Sequence, residues 1–101
     1  MKEGIRVVKA YFNNTLIAET ANPVALEGNQ YFPQQDVKME FLKPSDHHTV
    51  CPWKGKAGYY DVEVGGESDK NAAWFYPDPS AEAVMIRGHI AFWKNVRVVK
   101  D

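Results

Sequence analysis

The sequence predicts a mainly β protein: one compact antiparallel domain with two short helices. The apolar residues of the opening stretch alternate with polar ones at the two-residue period of a strand, as in "IRVVKAYF". Turn-forming residues then recur at close intervals, leaving room for about eight short strands. Only two stretches read as helix, and each spans one or two turns. The 101 residues suit a single domain over 1–101, with no room for a second core.

Taken in order, Ile5 to Phe12 and Thr15 to Glu19 are apolar-rich segments separated by Asn13-Asn14. Asparagine tolerates positive φ, so they form a hairpin with a tight turn. Val24 to Gly28 is a third strand, and Tyr31-Phe32 begins an edge segment that Pro33 stops. Asp36 can cap a short helix to about Leu42, which Pro44 ends. Thr49 to Cys51 is a short strand, and Ala57 to Val64 a longer one with Tyr60, Val62 and Val64 on one face and Tyr59, Asp61 and Glu63 on the other. "GGESDKN" is a polar turn. Asn71 to Tyr76 follows, with Ala72, Trp74 and Tyr76 on one face and Ala73 and Phe75 on the opposite one. Asp78-Pro79 starts a brief helix that ends before Gly88. His89 to Trp93 and Val96 to Val99 then close the domain as a hairpin around Lys94-Asn95.

Composition narrows the function. A hydrophobic share of 45% and an aromatic share of 13% are those of a globular chain. A net charge of -1, with the basic residues scattered, argues against nucleic acid as a partner, because phosphate binding needs a concentrated basic face. No apolar run reaches membrane-spanning length, and the amino terminus lacks the unbroken apolar centre of a signal peptide. The expectation is a cytoplasmic protein, and the one cysteine, Cys51, fits a reducing compartment. "NNT" at Asn13 matches a glycosylation acceptor by chance only, given no secretory route.

The stretch "TVCPWKGKAGYY" at 49–60 gathers the chemistry. Cys51 is a candidate catalytic nucleophile, with Lys54 and His47 or His48 close enough in sequence to favour a thiolate. The competing reading, a small apolar filler at a strand end, is the commoner use of cysteine. His47-His48 point to opposite sides of an extended chain, and His89 is the one further histidine, so no metal is expected. Lys54, at a turn made by Gly55, can hold a phosphate or carboxylate as a point charge, although no phosphate-loop frame precedes it. A solvated turn lysine is the equal alternative. Asp61 and Glu63 share a face, but nothing beside them suggests a magnesium-phosphate site.

The aromatics Trp53, Tyr59, Trp74, Tyr76, Phe92 and Trp93 fall on predicted strands or their ends. Some must build the core of so small a chain, and Tyr60, Phe75 and Phe92 fit that role. In "AAWFYPDP", Trp74 and Tyr76 share a face beside small alanines, which suits either a filled core or a ligand pocket.

The chain also resembles a known family. The P-x-x-D-V of Pro33 to Val37, Leu42 with Ser45, and the C-P-W-K-G of Cys51 to Gly55 match the family called Domain of Unknown Function 427. Ala57, Tyr59, Ala73-Trp74-x-Tyr76 with Pro79, and the I-x-G-x-x-A-F of Ile86 to Phe92 continue the match over nearly the whole chain. The resemblance implies a small curved sheet of the beta-tent type, a group that includes methionine-R-sulfoxide reductases and the thalidomide-binding domain of cereblon. The family is sometimes filed under a nucleotidyltransferase label. Relatives of that type often carry paired Cys-x-x-Cys zinc clips, and a chain whose one cysteine is Cys51 cannot form them. Fold alone does not imply function.

Three readings of function result. The first is a small-molecule-binding domain whose cleft is lined by Trp53, Tyr59, Trp74 and Tyr76, with Lys54 supplying a charge for a small anionic or amide-containing ligand. It needs no cofactor, nucleic acid or membrane. The second is an enzyme using Cys51, tuned by Lys54 or His48. The third is an interaction domain, self-associating as a homodimer through an exposed sheet edge.

Overall fold

The computed structural model describes residues 6–101. Ile5, the start of the first predicted strand, lies outside them. The described residues form nine strands: β1 (Val8–Phe12), β2 (Thr15–Thr20), β3 (Val24–Leu26), β4 (Asn29–Pro33), β5 (Leu42–Cys51), β6 (Gly55–Val64), β7 (Glu67–Phe75), β8 (His89–Phe92) and β9 (Arg97–Lys100). Every pairing is antiparallel. The strands divide into a three-stranded sheet, β2-β1-β9, and a six-stranded sheet, β3-β4-β8-β7-β6-β5. The mainly β expectation therefore holds. Among the described residues, helix is confined to three 3-10 segments, Gln34–Asp36, Met39–Phe41 and Ala81–Ile86.

Turn chemistry sets the hairpins. Asn13-Asn14, Glu27-Gly28 and Gly65-Gly66 join β1 to β2, β3 to β4 and β6 to β7, and every one of these residues has positive φ. Two successive positive φ values match the right-handed twist of the flanking strands. No helix of the described residues is long and apolar enough to cross a membrane.

The main core lies between the two sheets. Val8, Ala10 and Phe12 alternate inward from β1 and meet Phe32, Val62, Val64, Ile90 and Phe92 of the larger sheet. Phe32 and Phe92 pack edge to face, with centroids 5.4 Å apart. The two-residue period puts neighbouring residues of the same strands on the other face. There Tyr31, Ala57, Tyr76 and Ala91 form a second cluster, covered by Ala83 and Ile86 of the last 3-10 segment. Each fully buried side chain of Phe or Ile size contributes about 1.5–3 kcal/mol.

Several elements differ from the sequence reading, each for a tertiary reason. Tyr31-Phe32 is interior, because β4 is flanked by β3 on one side and by β8 on the other, and both residues are fully buried. The expected helix from Asp36 is two 3-10 turns instead. The Asp36 carboxylate accepts a hydrogen bond from Thr20 Oγ1 at 2.7 Å, and the Lys38 N–H donates to the Ile17 carbonyl at 2.8 Å, so the segment is tied to β2. The short strand at Thr49 extends back to Leu42 through Pro44, which β5 accommodates because it is a sheet edge. The polar turn narrows to Gly65-Gly66, and β7 starts at Glu67. The last 3-10 segment begins at Ala81, after Ser80, rather than at Asp78-Pro79. The closing hairpin does not form: β8 pairs with β4 and β7, while β9 crosses to β1. Phe92 and Val96 are both buried in the core between the sheets, so residues 93–96 carry the chain from one layer to the other.

Candidate functional site

The stretch at 49–60 is the β5–β6 hairpin, whose last ladder pair is Cys51 with Gly55. Its loop, Pro52-Trp53-Lys54, is anchored from behind: the Ser80 N–H donates to the Lys54 carbonyl at 2.9 Å. Gly55 sits at φ 119°, and a Cβ there would lie 3.3 Å from the Asp78 carbonyl oxygen, so this approach needs glycine. The loop aims Lys54 inward. Its residue is only 7% exposed, whereas Trp53 is 39% exposed.

The partner of both is Glu27, in the β3–β4 turn. Lys54 Nζ forms an ion pair with Glu27 Oε1, and Trp53 Nε1 donates to Oε2 at 3.2 Å. The ammonium also lies 5.6 Å from the Trp53 ring centroid and 5.3 Å from that of Tyr76. A cation held between a carboxylate and two ring faces is compensated, which is what burial of a charge requires. The pKa values follow. Burial acts to lower that of Lys54, but the Glu27 hydrogen bond and the pull of Tyr31, Tyr76 and Glu27 outweigh it and leave it raised. The Lys54 hydrogen bond holds the Glu27 carboxyl below its usual range. Burial pushes the Tyr31 and Tyr76 phenols up.

Beside this group, Tyr59, Trp74, Tyr76 and Trp93 line a shallow hollow of about 170 Å³. Tyr59 of β6 stands opposite Trp74 of β7 in the ladder. Trp74 and Trp93 meet with centroids 5.9 Å apart at 82°, making a corner. Trp74 is supported from below by Tyr31, whose hydroxyl accepts its Nε1–H at 3.1 Å. Tyr59 is held by Thr49 Oγ1 at 3.0 Å and by the His47 ring, centroid to centroid at 4.6 Å.

Trp93 owes its place to a β-bulge. The β6–β7 register breaks between Tyr60 and Val62, and Asn71 takes φ 57°. Asp61 Oδ1 accepts the Asn71 N–H at 2.8 Å, and Lys70 pairs with the same carboxylate. The freed Asn71 carbonyl accepts the Trp93 indole N–H at 2.6 Å, while the Trp93 backbone N–H donates to Ala72. Asn95 N–H to Asp69 Oδ2, at 2.9 Å, and Lys94 Nζ to the Lys70 carbonyl, at 2.6 Å, pin the rest of the turn. The bulge thus re-aims a side chain, a common use of such irregularities.

The predicted site residues therefore fall into two adjoining groups. Tyr59, Trp74 and Tyr76 line the hollow; Trp53 and Lys54 stand at the Glu27 turn, with Tyr76 bridging the two. Cys51 is half-buried and packs against the second cluster. Among the described residues, no group of three or more His, Cys, Asp or Glu could hold a metal ion. A larger hollow, about 430 Å³, lies at Gly65-Gly66 among Glu40, Lys43, Glu63 and Glu67, where charged surface side chains line it and no aromatic ring enters. Asp61 serves the bulge, accepting the Asn71 N–H.

Sequence reasoning missed Glu27, Tyr31 and Trp93 as members of the site. A glutamate directly before the glycine of a two-residue turn, where asparagine is usual, was the available signal for Glu27. Trp93 beside Lys94-Asn95 was an aromatic next to a turn. Nothing in the local sequence marked Tyr31. A comparison with curated proteins finds no match. The family model described as "Domain of unknown function (DUF427)" matches residues 2–101, which is nearly the whole chain, and this protein belongs to that family.

Proposed function

We propose that this protein is a small-molecule-binding domain acting in the cytosol, with its ligand seated between Tyr59, Trp74, Tyr76 and Trp93. The observation that carries the reading is the convergence of four aromatic side chains, from β6, from β7 and the residue that follows it, and from the 93–96 connection, on one open hollow. Trp93 stays 48% exposed although its backbone and indole N–H are both tied down. Holding a large apolar ring at the surface forgoes burial worth about 25 cal/mol per Å², which a ligand would recover. At about 170 Å³ the hollow is smaller than the ~300 Å³ at which drug-sized pockets begin, so it suits a head group or a small ring. Lys54 and Glu27 act on the wall, fixing Tyr76 and the hairpin loop.

A thermal-shift and tryptophan-fluorescence screen of small metabolites tests this. Hits should stabilise the wild type, and Trp93→Leu or Trp74→Leu should lose that stabilisation while keeping a cooperative melt. Hits that stabilise both variants as much as the wild type place the ligand elsewhere and end the proposal.

A further inference from the structure

Of the four side chains lining the hollow, three have their polar atom committed within the protein. Trp74 Nε1 donates to the Tyr31 hydroxyl, Trp93 Nε1 donates to the Asn71 carbonyl, and the Tyr59 hydroxyl is bonded to Thr49. Tyr76 is the exception: it is only 6% exposed, yet its hydroxyl has no hydrogen-bond partner among the described residues. The one fully sealed polar side-chain atom without a partner among them is Ser80 Oγ, so the Tyr76 hydroxyl is not sealed, and the hollow is the open space that its side chain lines. Burial pushes this phenol up against the opposing pull of Lys54, so it keeps its proton at neutral pH and remains a donor. A donor left unmade at such a site costs stability that an acceptor from outside would return.

The charges favour an acceptor that is anionic. Lys54 Nζ lies 5.3 Å from the Tyr76 ring centroid and Lys94 Nζ 5.4 Å from that of Trp93, so two of the four rings already carry a cation. Glu27 balances Lys54, whereas Lys94 donates to the Lys70 carbonyl and forms no ion pair among the described residues. No carboxylate lines the hollow. A further cation there would meet like charge, and an anionic oxygen would meet a donor and an ammonium without a carboxylate partner. One donor and one such ammonium suit a carboxylate better than a phosphate, which carries more charge and more acceptor oxygens. Trp74 and Trp93, crossed at 82°, offer ring surface on two sides to the apolar part of the ligand.

We propose that the hollow takes a small aromatic carboxylate, its ring against Trp74 and Trp93 and its carboxylate accepting the Tyr76 O–H, with Lys94 as the nearby counter-charge. The inference rests on the cleft reading above and narrows it to a ligand class. It keeps the anionic ligand that the turn lysine suggested, but moves its partners from Lys54, which is spent on Glu27, to Tyr76 and Lys94.

The test titrates benzoate, neutral benzyl alcohol and cationic benzylammonium against the indole N–H signals by NMR. Benzoate should bind about tenfold or more tightly than either counterpart, the margin of a charge-assisted hydrogen bond. Tyr76→Phe keeps the ring and removes the hydroxyl; it should weaken benzoate about tenfold, leave benzylammonium unchanged and retain the cooperative melt. Lys94→Gln should weaken benzoate severalfold and reduce the dependence of its binding on salt. If benzyl alcohol or benzylammonium binds as well as benzoate, or if Tyr76→Phe binds benzoate as the wild type does, the carboxylate assignment falls and the cleft survives. If no probe, and no hit from the metabolite screen, moves the four rings, the cleft reading itself fails.

Discussion

Glu27 occupies the first position of a two-residue turn at φ 54°, where a residue with a Cβ is disfavoured and asparagine or glycine is usual. Its carboxylate is what the position supplies, since it meets both Lys54 and Trp53. This gives stability a predictable pH profile. The Glu27 carboxyl is lowered from 4.5, so its contribution is complete above that value and is lost as pH falls through the lowered one. Lys54 is raised from 10.5, so its contribution is complete below that value and is lost as pH rises through the raised one. Urea melts should show a plateau between those limits. In Glu27→Gln the part of both limbs that comes from the pair should flatten; an unchanged profile would mean the pair sets neither. At Gly58 a Cβ would lie 2.7 Å from the Phe75 ring, which itself stacks on Tyr60 at 5.0 Å. Gly58→Ala should cost about 1–3 kcal/mol by denaturant unfolding, and Phe75→Leu should recover part of it in the double variant.

Among the elements, β7 decides most about the site. Its bulge releases the Asn71 carbonyl from the ladder and hands it to Trp93. A β-branched residue resists positive φ, so Asn71→Val should destabilise by about 1–3 kcal/mol and red-shift or quench the Trp93 emission. Asn71→Gly keeps the backbone conformation and should leave the emission near wild type. A wild-type spectrum for the valine variant would show that the bulge does not hold the indole. β5 illustrates a different rule: its exposed Lys43 and Pro44 and its break in register before His48 blunt a sheet edge against further pairing.

The whole molecule is held by the contact between two sheets, and that contact runs through few large side chains. Phe32 is fully buried and meets Phe92 edge to face. Phe32→Ala should cost about 3–5 kcal/mol, a large part of the ~5–15 kcal/mol available to a domain of this size. The variant should therefore melt far below the wild type by circular dichroism; a small shift would mean the sheets are held mainly elsewhere. The three-stranded sheet depends on β9 pairing with β1, and the core on Val96 just before it.

Much of this was legible along the chain because it is set by neighbours. Asn13-Asn14 and Gly65-Gly66 specify turns through their own φ preferences, and alternation in β1, β6 and the stretch from Ala73 to Tyr76 told which residues share a face. Ala72, expected beside Trp74, instead packs with Ala73 in the core between the sheets, because the bulge breaks the two-residue period. The shared face of Tyr59, Trp74 and Tyr76 belongs to that class, since it needs only the two-residue period and one hairpin. The division into two sheets, the interior place of Tyr31-Phe32 and the crossing of β9 to β1 do not, because they depend on which distant strand offers the better burial. So do Glu27 against Lys54 and Trp93 against Asn71, pairs separated by 27 and 22 residues. Period and turn chemistry are local and can be read in order, whereas the partner of a buried charge or of an indole N–H is settled only when the layers close.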